Sequence, residues 1–166
     1  MQIVPDDFIY FIGCALDGMV RIVEELGDER VNLRPDIPGA NSPFAILYHC
    51  VGCTNFWIGG LIAGRQVARD RDAEFQAQGT VADIRQAVHA LKKQLQEDIT
   101  KVQGDQPLAY PDALKPLQAW TTQQGVQHWR QGKALVHAYE ELSQHHGQME
   151  ITRDILLHQD SHASKM

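Results

Sequence analysis

The chain has little of what secreted, membrane-spanning or nucleic-acid-binding proteins need. Its 166 residues include only three cysteines, Cys14, Cys50 and Cys53, and this small odd number excludes a disulfide framework and indicates a reducing compartment. No apolar run approaches the roughly 20 residues of a membrane-spanning helix, which predicts no membrane partner. Asp6 and Asp7 lie where a secretory signal would be basic, so we expect a cytoplasmic protein.

Basic residues are also scarce. Lys and Arg number 15 against 21 Asp and Glu, for a formal net charge of −6, whereas binding to a nucleic-acid backbone needs clustered positive charge. We therefore expect no nucleic-acid partner. Hydrophobic residues make up 43% of the chain, which is ordinary globular composition, and a chain of this length can fold without staples. We expect one domain over residues 1–158 and a polar tail over residues 159–166.

Apolar residues recur at spacings of three and four in four stretches, which is the pattern of amphipathic helices. These stretches cover residues 6–26, 43–63, 80–102 and 130–157. No strand-rich stretch interrupts them. The sequence therefore predicts an all-α fold, a four-helix bundle with long connections.

Local signals support two of the helix starts. Ser42 followed by proline is typical of a helix N-terminus, and Thr80 with Asp83 resembles a capping box. Residues 65–79 are polar and predict a loop. Residues 103–128 contain three prolines, which exclude one continuous helix, and predict a long loop packed on the bundle; a short β-hairpin or a helical turn within it fits the same residues.

Three residues from two distant helices form a candidate metal site. Glu141 and His145 are four positions apart, so they project from one face of the last helix about 6 Å apart along its axis. A third ligand must come from another helix, and His49 lies among apolar residues of the second one. Each residue also has a simpler interpretation, because such a Glu-His pair is often solvated and a core histidine is often merely hydrogen-bonded.

A wider pattern narrows these alternatives. Ser42-Pro43-Phe44 to His49, then Trp57, and later Glu140-Glu141-x-x-x-His145-x-Gly147-Gln148 with Arg153, resemble the DinB-like four-helix metalloprotein family. The chain is most similar to the branch that contains mycothiol-dependent maleylpyruvate isomerase, over roughly residues 5–157. The resemblance implies a divalent metal held by His49, Glu141 and His145, with glutamate replacing one histidine of the common triad, and often a homodimer.

The resemblance also implies a chemistry. A two-His-one-carboxylate site suits zinc, and also nickel or iron, and an open position on the metal would activate a low-molecular-weight thiol for S-transfer or isomerisation of a small-molecule substrate. Two alternatives stay open: a metal-dependent hydrolase, and a non-catalytic metal-binding or stress-response protein in which a fourth ligand closes the site. Cys53 and His137 are the residues that could supply that fourth ligand, since each lies four positions from a predicted ligand.

Four further residues are candidates for substrate binding. His137 shares the helix face of Glu141, and Arg153 could bind a carboxylate in a bidentate manner. Trp120 lies on the long loop that would border a pocket, and Trp57 follows the predicted ligand His49 in the second helix. Packing in the core or at the rim is the alternative for both tryptophans, and a salt-bridged helix end is the alternative for Arg153.

Overall fold

The computed structural model describes residues 4–111, 113 and 129–163, with side chains up to residue 159. Its described part contains four long helices and one short helix, and no strands. They are α1 (Pro5–Arg30), α2 (Pro43–Thr54, continued by π-helical Asn55–Ile62), α3 (Arg71–Glu74), α4 (Val81–Asp98, continued by a 3-10 turn, Ile99–Lys101) and α5 (Gln131–Ala163). This architecture confirms the predicted all-α helical bundle.

The core lies between the four long helices, with α5 packed on α1, α2 and the π-helical continuation, and α4 packed on α1 and α2. The apolar stripes predict this arrangement correctly, because each amphipathic helix must bury one face against the others. The largest fully buried side chains are Ile12, Leu16, Met19, Leu26, Ile46, Leu47, Trp57, Ile58, Leu61, Ile84 and Leu95.

The predicted caps of α2 and α4 are present. The Ser42 side chain accepts a hydrogen bond from the backbone N–H of Ala45. Thr80 and Asp83 form a reciprocal capping box, each side chain accepting from the backbone N–H of the other residue. Gly27, which directly follows the first predicted helix (residues 6–26), adopts a positive φ of 66°, and a further turn follows it to Arg30.

Two predicted boundaries need correction. The segment 65–79 is not a plain loop, since α3 lies inside it with Asp70 as its N-cap. The last helix does not end at residue 157 but continues to Ala163, so most of the predicted polar tail is helical. Most of the predicted loop 103–128 lies outside the described residues. In its described part, Pro107 forms an isolated β-bridge with Arg130.

The end of α2 is held by a buried ion pair. Arg65 donates bidentate hydrogen bonds to Asp98 of α4, at 3.0 Å from Nε and 2.8 Å from Nη2, and also donates to Asn55. Asp98 is fully buried. Gly59 leaves the space through which the guanidinium passes, because a side chain there would collide with it.

The sequence analysis also predicted that no apolar run reaches the length of a membrane-spanning helix, and this prediction was too strict. Pro43–Ile62 is long and apolar enough by composition to cross a membrane, but 72% of that window is buried within the bundle. A core helix of a soluble protein has the same properties, because it too is apolar on all sides.

Candidate metal centre

The structure brings the predicted triad together between α2 and α5. His49 Nε2 and His145 Nε2 each lie 3.7 Å from the same atom, Oε2 of Glu141, and the two imidazole rings meet edge to face with centroids 5.0 Å apart. Glu141 and His145 share a face because they are one helical turn apart. His49 reaches them because α2 packs directly on α5.

These separations fit metal ligands better than hydrogen bonds. A distance of 3.7 Å exceeds the N–H···O range, which ends near about 3.2 Å. Two nitrogen or oxygen ligands about 2.0–2.1 Å from one tetrahedral zinc ion are about 3.4 Å apart. The buried Nε2 of His49 has no hydrogen-bond partner within the described residues, and an unpartnered buried nitrogen is costly unless something binds it. The donor set therefore fits a divalent cation.

Cys53 and His137 also place possible ligand atoms close to the Glu141 carboxylate. Cys53 Sγ lies 4.0 Å from Oε2. Among the described residues, the group whose donor atoms all lie within 4.8 Å of one another is His49, Cys53 and Glu141, so Cys53 takes the place that the sequence predicted for His145. His137 Nε2 lies 3.8 Å from Oε1 of Glu141. Both residues that the sequence named as further ligands are thus at the centre, on opposite oxygens of its carboxylate.

The electrostatics of the centre favour the ionised form of the Glu141 carboxylate. The imidazoles of His145 and His49 lower the pKa of Glu141 well below its usual range. Burial raises the pKa of Cys53 to about 12, so without a cation its thiol keeps the proton. Burial lowers the pKa of His49, but the neighbouring carboxylates of Glu141 and Glu74 outweigh it and the net shift is upward.

Sequence reasoning missed the residues behind His49. Glu74 of α3 contacts the outer nitrogen, with Oε2 2.8 Å from His49 Nδ1, and Arg69 binds both carboxylate oxygens of Glu74. Phe75 stacks on the His49 ring at 4.4 Å between centroids. The available signal was Phe75, a bulky apolar residue in a polar segment, which indicates that the segment packs on the body of the protein.

His145 is oriented by its own helix. Its Nδ1 lies 2.8 Å from Oε1 of Gln148, three positions later, which leaves Nε2 directed to Glu141. Gln148, which belongs to the motif around His145, thus contacts this imidazole. Both histidines thus use Nδ1 for a hydrogen bond and Nε2 for the centre, as metal-binding histidines commonly do.

A cavity of about 350 Å³ opens beside Glu141. Its lining residues are Trp129, Lys133, Val136, His137, Glu140, Glu141 and Gln144. Lys133 lies over the Trp129 ring, with Nζ 4.6 Å from the centroid. The cavity is large enough for a small organic molecule, and it places such a molecule in contact with the Glu141 carboxylate.

Two of the other predicted substrate-binding residues, Trp57 and Arg153, do not line this cavity. Trp57 is buried in the core, 2% exposed, stacked on Trp129 at 5.0 Å and edge-on to His137 at 4.6 Å. Arg153 pairs with Asp154 and Glu25 at the surface, which is the salt-bridged alternative. Trp120 lies outside the described residues.

A family model described as mycothiol-S-transferase matches residues 10–157 of the chain. The match covers α2 and α4 entirely, most of α1 and α5, and every residue of the centre. It agrees with the resemblance inferred from the motifs, since that resemblance was to a mycothiol-dependent branch. None of the curated proteins gives a significant match.

Proposed function

The chain belongs to the mycothiol-S-transferase family, and from this we propose that it transfers the sulfur of a low-molecular-weight thiol to an electrophilic small molecule, with a divalent metal as cofactor. In that reaction the thiol loses its proton, a sulfur–carbon bond forms, and the bond from carbon to the leaving group breaks with its electron pair. The thiol fits the family, and the small electrophile fits the size of the cavity.

The residues proposed to hold the metal are His49 and His145 through Nε2 and Glu141 through its carboxylate. Zinc suits two nitrogens and one oxygen, as do nickel and iron(II). A divalent ion there would supply the positive charge that favours the thiolate form of a bound thiol. The observation that carries this proposal is the buried Nε2 of His49, which has no hydrogen-bond partner among the described residues and faces Glu141 at 3.7 Å.

The protein's own cysteines are poorly placed to be the nucleophile. Cys53 is 3% exposed and Cys50 is 1% exposed. Cys14 is exposed, and none of the three lines the cavity. An external electrophile in the cavity therefore meets the bound thiol and not a protein thiol. The sulfur that is transferred comes from the cosubstrate.

His137 is the residue proposed to accept the thiol proton. It lines the cavity, with Nε2 3.8 Å from Oε1 of Glu141 and Nδ1 3.4 Å from Oε2 of Glu140. Its ring is held edge-on against Trp57 and Trp129, which restricts its rotation. A fixed imidazole at the wall of the cavity is suited to general-base catalysis.

Metal content and thiol transfer test the proposal together. Protein purified without a histidine tag is compared with His49→Ala, Glu141→Ala and His145→Ala, and with His89→Ala as control, because His89 is an exposed histidine on α4. We expect wild type and the control to retain a stoichiometric metal and to consume mycothiol with an aryl halide, and the three variants to lose both properties. Equal metal content in all five proteins would reject the triad.

The choice of thiol and reaction is tested separately. Mycothiol, bacillithiol, glutathione and coenzyme A are titrated into the metal-loaded protein, and saturable binding of one of them is expected. Binding of none would reject the transferase while leaving the metal centre intact. Thiol recovered unchanged beside an isomerised substrate would indicate the isomerase, and turnover of an ester or amide without thiol would indicate the hydrolase.

A further inference from the structure

A buried carboxylate outside the predicted triad lies directly behind His49. The Glu74 side chain is 6% exposed, and its Oε2 lies 2.8 Å from His49 Nδ1. The other contacts of its carboxylate are two hydrogen bonds that it accepts from the Arg69 guanidinium. No sequence pattern assigned a role to this residue, and the metal centre as proposed does not include it as a ligand.

We propose that Glu74 is a positioning residue: by accepting a hydrogen bond from His49 Nδ1 it fixes the imidazole so that the lone pair of Nε2 faces Glu141 and a bound divalent cation. This inference rests on the proposed metal centre, because it assigns Glu74 a role through His49. Glu74 itself contacts neither the metal nor the substrate.

The chemistry of the two groups requires this orientation. An ionised carboxylate only accepts hydrogen bonds, so His49 Nδ1 must be the donor in the 2.8 Å contact. In a neutral imidazole the proton is on one nitrogen only, and Nε2 is then left as an unprotonated acceptor. Within the described residues, that nitrogen is buried without a hydrogen-bond partner. This is expected of an atom whose lone pair binds a cation.

Arg69 holds the carboxylate in place. Its Nε lies 2.8 Å from Oε1 of Glu74 and its Nη2 lies 3.0 Å from Oε2, a bidentate pair that fixes the plane of the carboxylate. The guanidinium also lies over the Phe56 ring, 5.5 Å from its centroid. Arg69 thus offsets the negative charge of Glu74 where it is buried and restricts its rotation.

Gly52 provides the space for Glu74 on α2. A β-carbon at this position would collide with Oε1 of Glu74. The short helix α3 carries Glu74 to this point, and its start is fixed by Asp70, which accepts from the backbone N–H of Ala73 at 3.0 Å. The Glu74 carboxylate is therefore positioned by three features. Gly52 leaves space for it, the capped helix α3 carries it, and Arg69 binds both of its oxygens.

Affinity for Zn²⁺, measured by competition with a chelating dye, tests the proposal. Glu74→Ala is expected to weaken binding by about 10–100-fold, as loss of such an outer hydrogen bond commonly does, and Glu74→Gln by less, because its amide oxygen still accepts from Nδ1. Gly52→Ala is expected to weaken binding as well, since it displaces the carboxylate without removing any polar group. Gly13→Ala is the control, because a β-carbon there meets only Lys92 at ordinary contact distance.

The metal-free protein provides a second readout. Nitrogen-15 correlation spectra of the imidazoles are recorded over a series of pH values, and on the basic side of the His49 titration they should show His49 of wild type with its proton on Nδ1. Glu74→Ala should lose that preference, whereas a merely structural change would leave it. Glu74→Gln keeps the side-chain volume, so it serves in both experiments if Glu74→Ala does not fold.

The outcomes separate this inference from the proposed function. Wild-type affinity in all Glu74 and Gly52 variants, or a wild-type His49 with its proton on Nε2, would overturn the positioning role. Failure of wild type to bind Zn²⁺ at all would overturn the metal centre, and the spectra of the metal-free protein would still decide whether Glu74 fixes the His49 proton.

Discussion

Glu74 and His49 are 25 positions apart in the chain, yet Oε2 of one lies 2.8 Å from Nδ1 of the other. The contact makes His49 a bridge between two carboxylates, since its other nitrogen faces Glu141 at 3.7 Å. A histidine so placed is oriented by one acid and available to a cation beside the other. The relationship joins three elements, α2, α3 and α5, at one imidazole.

The role of Cys53 separates an open catalytic centre from a closed structural one. We expect Co²⁺-loaded wild type to lack a strong sulfur-to-cobalt charge-transfer band in the near ultraviolet, because the proposed triad contains no sulfur. Cys53→Ser should then give the same spectrum as wild type. A band in wild type that disappears in Cys53→Ser but persists in Cys50→Ser would make Cys53 a ligand and favour the non-catalytic alternative.

Trp57 should be among the most sensitive core positions. It is 2% exposed and packs on both Trp129 and His137, so Trp57→Ala leaves a large cavity. We expect a loss of about 3–5 kcal/mol in the free energy of unfolding, measured by urea denaturation. Tyr10→Ala is the comparison, since Tyr10 is 65% exposed, and its effect should stay within about 0.5 kcal/mol. Equal effects would show that Trp57 is not a core residue.

The ion pair between Arg65 and Asp98 should show strong coupling. Arg65→Met leaves the buried Asp98 carboxylate without its charged partner, and we expect a loss of about 3 kcal/mol in the free energy of unfolding. The double variant Arg65→Met with Asp98→Leu removes both charges and should be more stable than Arg65→Met alone. A double variant whose loss equals the sum of the two single losses would show that the pair is not coupled.

The capping box of α4 should make stability depend on pH in the acid range. Hydrogen bonds from the Thr80 side chain and backbone lower the pKa of Asp83 below its ordinary value of 3.8. The unfolded chain therefore binds a proton first, so the contribution of Asp83 is complete above about pH 4 and is lost as the pH falls through the lowered value.

Thermal unfolding between pH 2.5 and pH 7 tests this contribution. We expect wild type to be more stable than Asp83→Asn near neutral pH, with the difference closing in acid. Thr80→Ala removes one of the hydrogen bonds to Asp83 and should show a smaller pH-dependent difference. A difference between wild type and Asp83→Asn that stays constant across the range would contradict the assignment.

Features that depend on neighbouring residues were determined by the sequence itself. The four amphipathic stripes, the Ser42 and Thr80 caps and the interruption at Gly27 all follow from local geometry, in which side chains three and four positions apart share a face. The same rule placed Glu141 and His145 on one face of α5. The position of His49 in the sequence made it only a candidate metal ligand, and the resemblance to the family motifs then supported that role.

Contacts between distant segments were decided by the tertiary structure. Glu74 looked like one acid in a polar loop, because nothing in its neighbourhood shows that Gly52 of α2 leaves room for it or that Arg69 clamps it. Trp57 and Arg153 were equally suited to a pocket or to packing, and only the arrangement of helices buries the first and pairs the second at the surface. Helical periodicity determines which face of a helix is buried, but the packing of the helices determines which side chains meet there.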